Sequence, residues 1–462
     1  MSSTRATRSG LALIKQSILK KGWRIYDERW LVEASKILEP GGHWGPDGPY
    51  AYGCSLQTWE RFLKGTAIRD RSFNAFCHAL EIAPQTVANR PGRCCQDWGQ
   101  APDVPAFHGR EKELETLEKW IVRDRCKLIN ISGFAGSGKT RLVSGGLTEQ
   151  ASSPWQLGNR VRDEFDCLIW RRVESLSPNA MLSELILFIK GSSDIHLSET
   201  TAGLVTQLLS CLRQRRCLVV IDNVDSILSG GAQAGQYRQR AEDYGRVLRQ
   251  LGESSHRSCV VLVGRESLRD IEGMEGVYAV RSLQLQGLDT AAAQAVFQRL
   301  GQAYDVPFHG FESDWQRLVS LYGGNPLMLE AVARRVYRRF DGSLSKFLAQ
   351  KQFVFGKVRS LLDWHFDRLS ESQKEILYWI SVASEPISLA DLSAHITSPQ
   401  AQKCLLDTLD GLERQIPIGR VANRLMLPGI FAEYMCSEVA FPLKNRLVAF
   451  PRQSFEHVMQ SG

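Results

Sequence analysis

The chain lacks any apolar run of the length needed to span a membrane. That excludes a transmembrane helix on hydropathy grounds. The first ten residues hold no apolar stretch and lead into a charged helical pattern, so they do not read as a signal peptide. The eleven cysteines include no C-x-x-C pair and no Cys/His cluster at zinc spacing. Structural zinc and a disulfide scaffold are therefore excluded. Cys77, Cys217, Cys259 and Cys404 sit in apolar patterns and read as reduced core residues of a cytoplasmic protein. The vicinal pair Cys94-Cys95 reads as plain linker, with a redox role as the alternative. No internal repeat is found. Acid is missing from residues 1–25, which carry Arg5, Arg8, Lys15, Lys20, Lys21 and Arg24. Such a stretch fits a nucleic-acid footprint or a solvated face equally well.

What is present is ordinary globular composition. The 462 residues are 43% hydrophobic and 23% charged, with a mild net charge of +7. That length suits about three or four domains. Residues 8–90 pattern as a small helical domain and 91–106 as a Pro-punctuated linker. Residues 107–285 alternate apolar strands with helices, which argues for a parallel α/β sheet. Residues 286–350 and 351–440 read as two further, mostly helical units, and 441–462 as a tail.

Within the α/β segment, Gly133-Phe134-Ala135-Gly136-Ser137-Gly138-Lys139-Thr140 fits the P-loop pattern G-x-x-x-x-G-K-[ST] without a mismatch. An apolar strand, Lys127–Ser132, precedes it, and a helical stretch follows, as the motif requires. Gly133, Gly136 and Gly138 let the backbone curl round a phosphate. The Ser137 and Gly138 amides open a helix N-terminus toward it. Lys139 would reach the β- and γ-phosphates of ATP or ADP, and the Thr140 hydroxyl would ligand Mg²⁺. Leu218-Val-Val-Ile-Asp222 is a buried strand that ends on a carboxylate, a Walker B pattern that makes Asp222 the second Mg²⁺ ligand. The next residue is Asn223, where a fast ATPase carries an acid. Asp225 is the nearest substitute, with helix capping as its other role, so hydrolysis should be slow. A further apolar strand, Cys259–Gly264, ends on Arg265, which suits a γ-phosphate sensor. Other strands are expected at Phe165–Val173 and Val277–Val280.

The order Phe107-His-Gly-Arg110, P-loop, Walker B, Arg265 and Gly323-Gly-Asn-Pro326-Leu327 resembles the NB-ARC branch of the STAND ATPases, from about residue 100 to about 440. It is especially similar to cyanobacterial NB-ARC proteins, which share Phe165–Arg171, Leu361–Ser370 and Glu385–Asp391. The resemblance implies an α/β P-loop NTPase with a parallel sheet, a helical lid over 286–350 and a winged-helix subdomain over 351–440. It also implies that Phe107 and Arg110 cover the adenine side, that Pro326 contacts adenine, and that the winged helix packs on ADP in a closed state. Relatives tie that state with a Met-His-Asp motif. The matching place here is Leu427-Pro428-Gly429, which cannot make the same bond. Gly145-Gly146 should end the P-loop helix early, since each glycine costs roughly 1 kcal/mol of helix propensity. Family members generally continue into sensor repeats. With none here, either a partner senses the trigger or the chain is a degenerate paralogue.

Residues 8–90 resemble a phage-repressor helix-turn-helix, the all-α N-terminal domain of the expected fold. Ser55–Lys64 takes the recognition position, with Gln57, Thr58 and Arg61 outward. The same fold also docks proteins in related regulators. The expected function is an ADP/ATP switch that opens and self-associates, or binds a protein partner, without contact with a membrane. The alternative is a DNA-binding transcription regulator whose nucleotide site tunes DNA affinity.

Overall fold

A computed structural model describes residues 3–438 apart from 5, 7, 88–94, 103–108, 145–156, 175–176, 192–194, 240, 351 and 384. Phe107, Gly145-Gly146 and the tail 441–462 lie outside the described residues. The chain divides into two compact units, Met1–Cys95 and Gln96–Gly462. No helix among the described residues is long and apolar enough to cross a membrane.

The N-terminal unit holds helices at Arg8–Lys21, Arg29–Leu38, Leu56–Leu63 and Asp70–Ala79. Its core is aromatic. Trp30 and Trp59 stack at 5.6 Å, and Phe62 and Phe76 close on Trp59 at 5.4 and 5.1 Å. The Ser55 hydroxyl accepts from the Thr58 amide and starts the third helix. Gln57 and Arg61 are exposed on that helix, whereas Thr58 is half-buried. The Arg61 guanidinium is turned onto the Ala67 carbonyl at 2.7 Å.

The second unit is built on a six-stranded sheet. Its strands are β1 (Cys95–Asp97), β2 (Leu128–Ser132), β3 (Cys167–Arg172), β4 (Cys217–Asp222), β5 (Cys259–Val263) and β6 (Val280–Gln284). Their spatial order is β1-β3-β4-β5-β2-β6. The pairs β3/β4, β4/β5, β5/β2 and β2/β6 are all parallel. Every residue of β2, β4 and β5 is buried, which explains the Val/Ile/Leu runs of β4 and β5 and the apolar character of β2, broken only by Asn130 and Ser132. The last strand lies later than the expected Val277–Val280. Val280 pairs with Leu128 at the start of β2, and Val277 stands outside the sheet, 73% exposed. The P-loop helix is short, Lys139–Val143, as the pattern anticipated.

Beyond the sheet come helices Thr290–Tyr304, Glu312–Tyr322 and Pro326–Phe340, then Gly356–Phe366, Glu371–Val382, Leu389–His395 and Leu405–Glu413. An antiparallel ribbon, Gly419–Val421 with Arg424–Met426, and a last helix, Gly429–Glu438, complete the described residues. One continuous apolar core joins these helices, from Ala293 and Phe297 through Leu362 to Met435, and it includes Phe134 and Ala135 of the P-loop. The P-loop is therefore packed from the C-terminal side of the chain as well as from the sheet.

Candidate nucleotide site

Parallel strands bring their carboxyl ends to one edge of the sheet, where crossover loops leave room for a ligand. β2 delivers the P-loop there, β4 delivers Asp222, and β5, lying between them, delivers Arg265. Three residues far apart in sequence thus meet because of strand order alone.

Backbone geometry explains the loop's glycines. Gly133 has φ +149°, and a Cβ there would stand 2.7 Å from the Leu285 carbonyl. At Gly136, φ +80°, it would stand 2.7 Å from the Leu327 Cβ. Only glycine accepts both the conformation and the approach. Gly138, also at positive φ, is the N-cap of the helix that begins at Lys139. Ser137 is buried, and its amide donates to the Phe134 carbonyl at 3.1 Å.

Lys139 is buried. Its ammonium donates to the carbonyls of Gly133 (2.6 Å) and Phe134 (3.1 Å) and to Ser137 Oγ (3.3 Å). Burial pulls its pKa down to about 8, against a partial restoring pull from Asp225. An anion entering the loop would restore the charged form. Thr140 Oγ1 lies 3.4 Å from Asp222 Oδ1. Burial raises the Asp222 pKa, while the Asn223 amide, Arg172 and Thr140 lower it. A hydroxyl and a carboxylate at this separation suit Mg²⁺, which takes one or two protein oxygens and completes its shell with phosphate and water. Thr140 and Asp222 would hold it.

Asp225 is buried and committed. Its Oδ1 accepts from the Arg265 amide at 3.0 Å, and its Oδ2 lies 3.7 Å from the Arg265 guanidinium. That guanidinium also lies 3.8 Å from the ring centroid of Trp364. Arg368 approaches the same ring at 5.0 Å and pairs with buried Glu266 at 2.8 Å. Residues 265–266 at the tip of β5 are thus gripped by the helix Gly356–Phe366 and the turn after it.

Arg110 is buried and acts as a brace. It donates to the Gln286 carbonyl at 2.5 Å and the Ser137 carbonyl at 3.3 Å, and pairs with Glu113 at 2.6 Å. Pro326 is buried at the first turn of its helix. Its neighbours make the contacts. Asn325 caps the helix and donates to the Ala135 carbonyl at 2.8 Å, and the Leu327 amide donates to the Gly136 carbonyl at 3.3 Å. A cavity beside the P-loop is walled by Phe134, Gln286, Asn325, Met328, Pro428 and Phe431. Pro428, in the place of the expected Met-His-Asp motif, is one wall of it. Pro428 Cγ would lie 2.7 Å from a Cβ at Gly323, so that glycine is what admits the proline.

Sequence patterns missed the strongest link to the C-terminal helices. The Ala135 amide donates to His365 Nε2 at 3.2 Å, and the imidazole stacks on Phe134 with centroids 3.9 Å apart. Burial, with Arg265, Lys139 and Arg368 nearby, pushes the His365 pKa well below its usual value. An unprotonated Nε2 is what the Ala135 bond requires. The segment Leu361–Ser370 had stood out only by resemblance.

A further link is the buried carboxylate of Glu330. It holds Arg141 of the P-loop helix at 2.7 Å and Arg299 at 3.2 Å. Glu330→Gln keeps the shape and removes the charge. Both guanidinia are partly hydrated, with exposures of 26% and 30%, so the cost falls below that of a fully buried pair. A loss of about 1–3 kcal/mol is expected, read as a lower thermal midpoint of the full chain.

Residues 100–295 match the family model described as Novel STAND NTPase 1. An uncharacterised WD repeat-containing protein of Nostoc sp. (strain PCC 7120) is 36% identical over 465 residues, covering 95% of this chain. This chain spans 36% of that relative's length. Among solved structures, a Walker-type ATPase of Pyrococcus abyssi has 15% identity and a TM-score of 0.48, covering 72% of this chain and 99% of that one. A STAND protein with a tetratricopeptide repeat sensor from Pyrococcus horikoshii has 17% identity and a TM-score of 0.35, covering 78% of this chain and 48% of that one. With the P-loop, Asp222 and the parallel sheet on one segment, residues 100–295 carry the P-loop NTPase fold, and it is this segment that matches the STAND family model.

Proposed function

We propose that the chain is a nucleotide-controlled switch of the NB-ARC branch, held closed by ADP and opened by exchange for ATP. The observation that carries this reading is the contact set around His365 and Trp364. One helix touches both the P-loop backbone and Arg265, the residue best placed to read a γ-phosphate. Charge arriving at the phosphate site therefore competes for groups that also hold the C-terminal helices. A ligand shifts a two-state equilibrium only through such differential contacts. The ribbon and helices of 351–440 fit a winged helix in this scheme, and 286–350 fits the lid. Opening would free surface for self-association or a protein partner.

Turnover should be slow, since bound ADP holds the switch closed and position 223 is an amide that cannot itself take a proton from water. Steady-state ATP hydrolysis should lie well below the kinase range of about 1–100 per second. The identity of the nucleotide carried by the purified full chain tests the switch reading. Bound ADP supports it, and a protein that neither carries nor binds adenine nucleotide refutes it. A second reading, DNA binding through residues 8–90, draws on the exposed Gln57 and Arg61 of the Leu56–Leu63 helix. Duplex binding that weakens steeply with salt would support it.

A further inference from the structure

Asn223 occupies the position where hydrolytic P-loop enzymes commonly place an acid, and the structure sets a carboxylate beside it. Asn223 has a left-handed backbone, φ +64°, which asparagine tolerates better than most residues. Its side-chain amide donates to Glu174 Oε1 at 2.9 Å. Glu174 lies just past the end of the neighbouring strand β3, two residues beyond Arg172, which pairs in register with Asp222. The Val173 amide donates to the Asp222 carbonyl at 3.2 Å, so the extension of β3 follows β4 to its tip. Arg172 lies 3.7 Å from Glu174 and 3.9 Å from Asp222, one guanidinium between two carboxylates.

We propose that Glu174 is the general base for ATP hydrolysis, delivered from β3 and steered by the Asn223 amide. The acid and amide have exchanged strands: β4 supplies the amide, and β3 supplies the acid. Glu174 is 52% exposed, so it can meet water and return a proton to solvent. Asp225, the nearer candidate by sequence, is 6% exposed and held by Arg265. In the step, a water oxygen bonds to the γ-phosphorus as the bond to the β–γ bridging oxygen breaks. ADP leaves with that electron pair. Glu174 takes one water proton and the other stays on the new phosphate, so ATP and water give ADP, phosphate and, once Glu174 is deprotonated, a proton.

This assignment rests on nucleotide binding at the P-loop, and the experiment separates the two. ADP affinity, thermal midpoint, bound nucleotide and single-turnover hydrolysis are measured on the full chain as wild type, Glu174→Gln, Asp225→Asn and the exchange Asn223→Glu with Glu174→Asn. Glu174→Gln should hydrolyse ATP at least tenfold more slowly, with ADP affinity and midpoint unchanged. It should retain ATP after loading where wild type is found with ADP. The exchange variant should recover at least part of the lost rate. Wild-type hydrolysis in Glu174→Gln, no recovery in an exchange variant that keeps the wild-type midpoint, or a larger loss in Asp225→Asn would overturn the assignment. So would loss of ADP affinity in Glu174→Gln, which would make Glu174 a brace. A wild type that binds ADP yet never hydrolyses ATP overturns it while leaving the switch intact. A wild type that binds no nucleotide removes the switch itself.

Discussion

Alanine at Lys139 lowers ADP affinity at least tenfold, or about 1.4 kcal/mol, in calorimetry on the full chain. Lys139 is the only cation between Gly133 and Thr140. Its removal leaves phosphate charge without its charge-assisted donor. The structure adds a second consequence. The ammonium also satisfies the Gly133 and Phe134 carbonyls inside the fold. Alanine removes that donor from both, and while the Phe134 carbonyl keeps the Ser137 amide, the Gly133 carbonyl loses its ammonium partner, so the loop should loosen and the thermal midpoint should fall even without nucleotide. A carbonyl that loses a buried partner costs about 1–3 kcal/mol. Lys139→Met, which keeps the stem and drops the charge, should show the same affinity loss with less disturbance of packing. Unchanged ADP affinity in either variant refutes the phosphate site.

These residues were legible because the chemistry is local. A P-loop is eight consecutive residues after a strand, and Asp222 ends an unbroken apolar run. The helices of the N-terminal unit were legible for the same reason, from apolar spacing and the Ser55 cap. What remained hidden depends on tertiary neighbours. His365 meets Ala135 across 230 residues, and Asn325 meets the same residue across 190. Trp364 and His365 look like ordinary helix residues until β5 and β2 bring Arg265 and Phe134 against them. The resemblance directed attention to Leu427-Pro428-Gly429, the place where relatives tie the winged helix to ADP. His365, some sixty residues earlier, makes a separate contact with the P-loop backbone that the resemblance did not point to. Glu174 stayed hidden because Ala, Ser or Glu after an apolar strand reads equally as a loop. Only the pairing of β3 with β4 sets it against Asn223. The start of β6 was misjudged because Val277 and Tyr278 have strand propensity, yet register with β2 begins only at Val280.

His365 makes the other large effect, and its sign with pH follows from burial. The imidazole accepts from Ala135 and stacks on Phe134, and the bond from Ala135 needs Nε2 unprotonated. His365→Ala leaves a buried amide unpaired, at about 1–3 kcal/mol, and removes a stack worth about 0.5–1.5 kcal/mol. A loss of about 2–4 kcal/mol is a large share of a domain's stability. Acid acts at the same point. Desolvation, with Arg265, Lys139 and Arg368 adding repulsion, holds the folded pKa well below that of the unfolded chain. Above about pH 6.5 the ring is neutral in both states and contributes no pH dependence. Below it the unfolded chain takes up a proton that the folded chain refuses. Stability then falls by up to about 1.4 kcal/mol per pH unit until the folded value is reached. Glutamine at 365 keeps an acceptor for Ala135 and does not titrate. His256, whose pKa burial also lowers, contributes equally to both proteins, so the difference between them isolates His365. The thermal midpoint of wild type should therefore drop more than that of His365→Gln between pH 7 and pH 5. Parallel curves for the two proteins would mean that His365 is hydrated or protonated in the folded chain, and that the tie is made elsewhere.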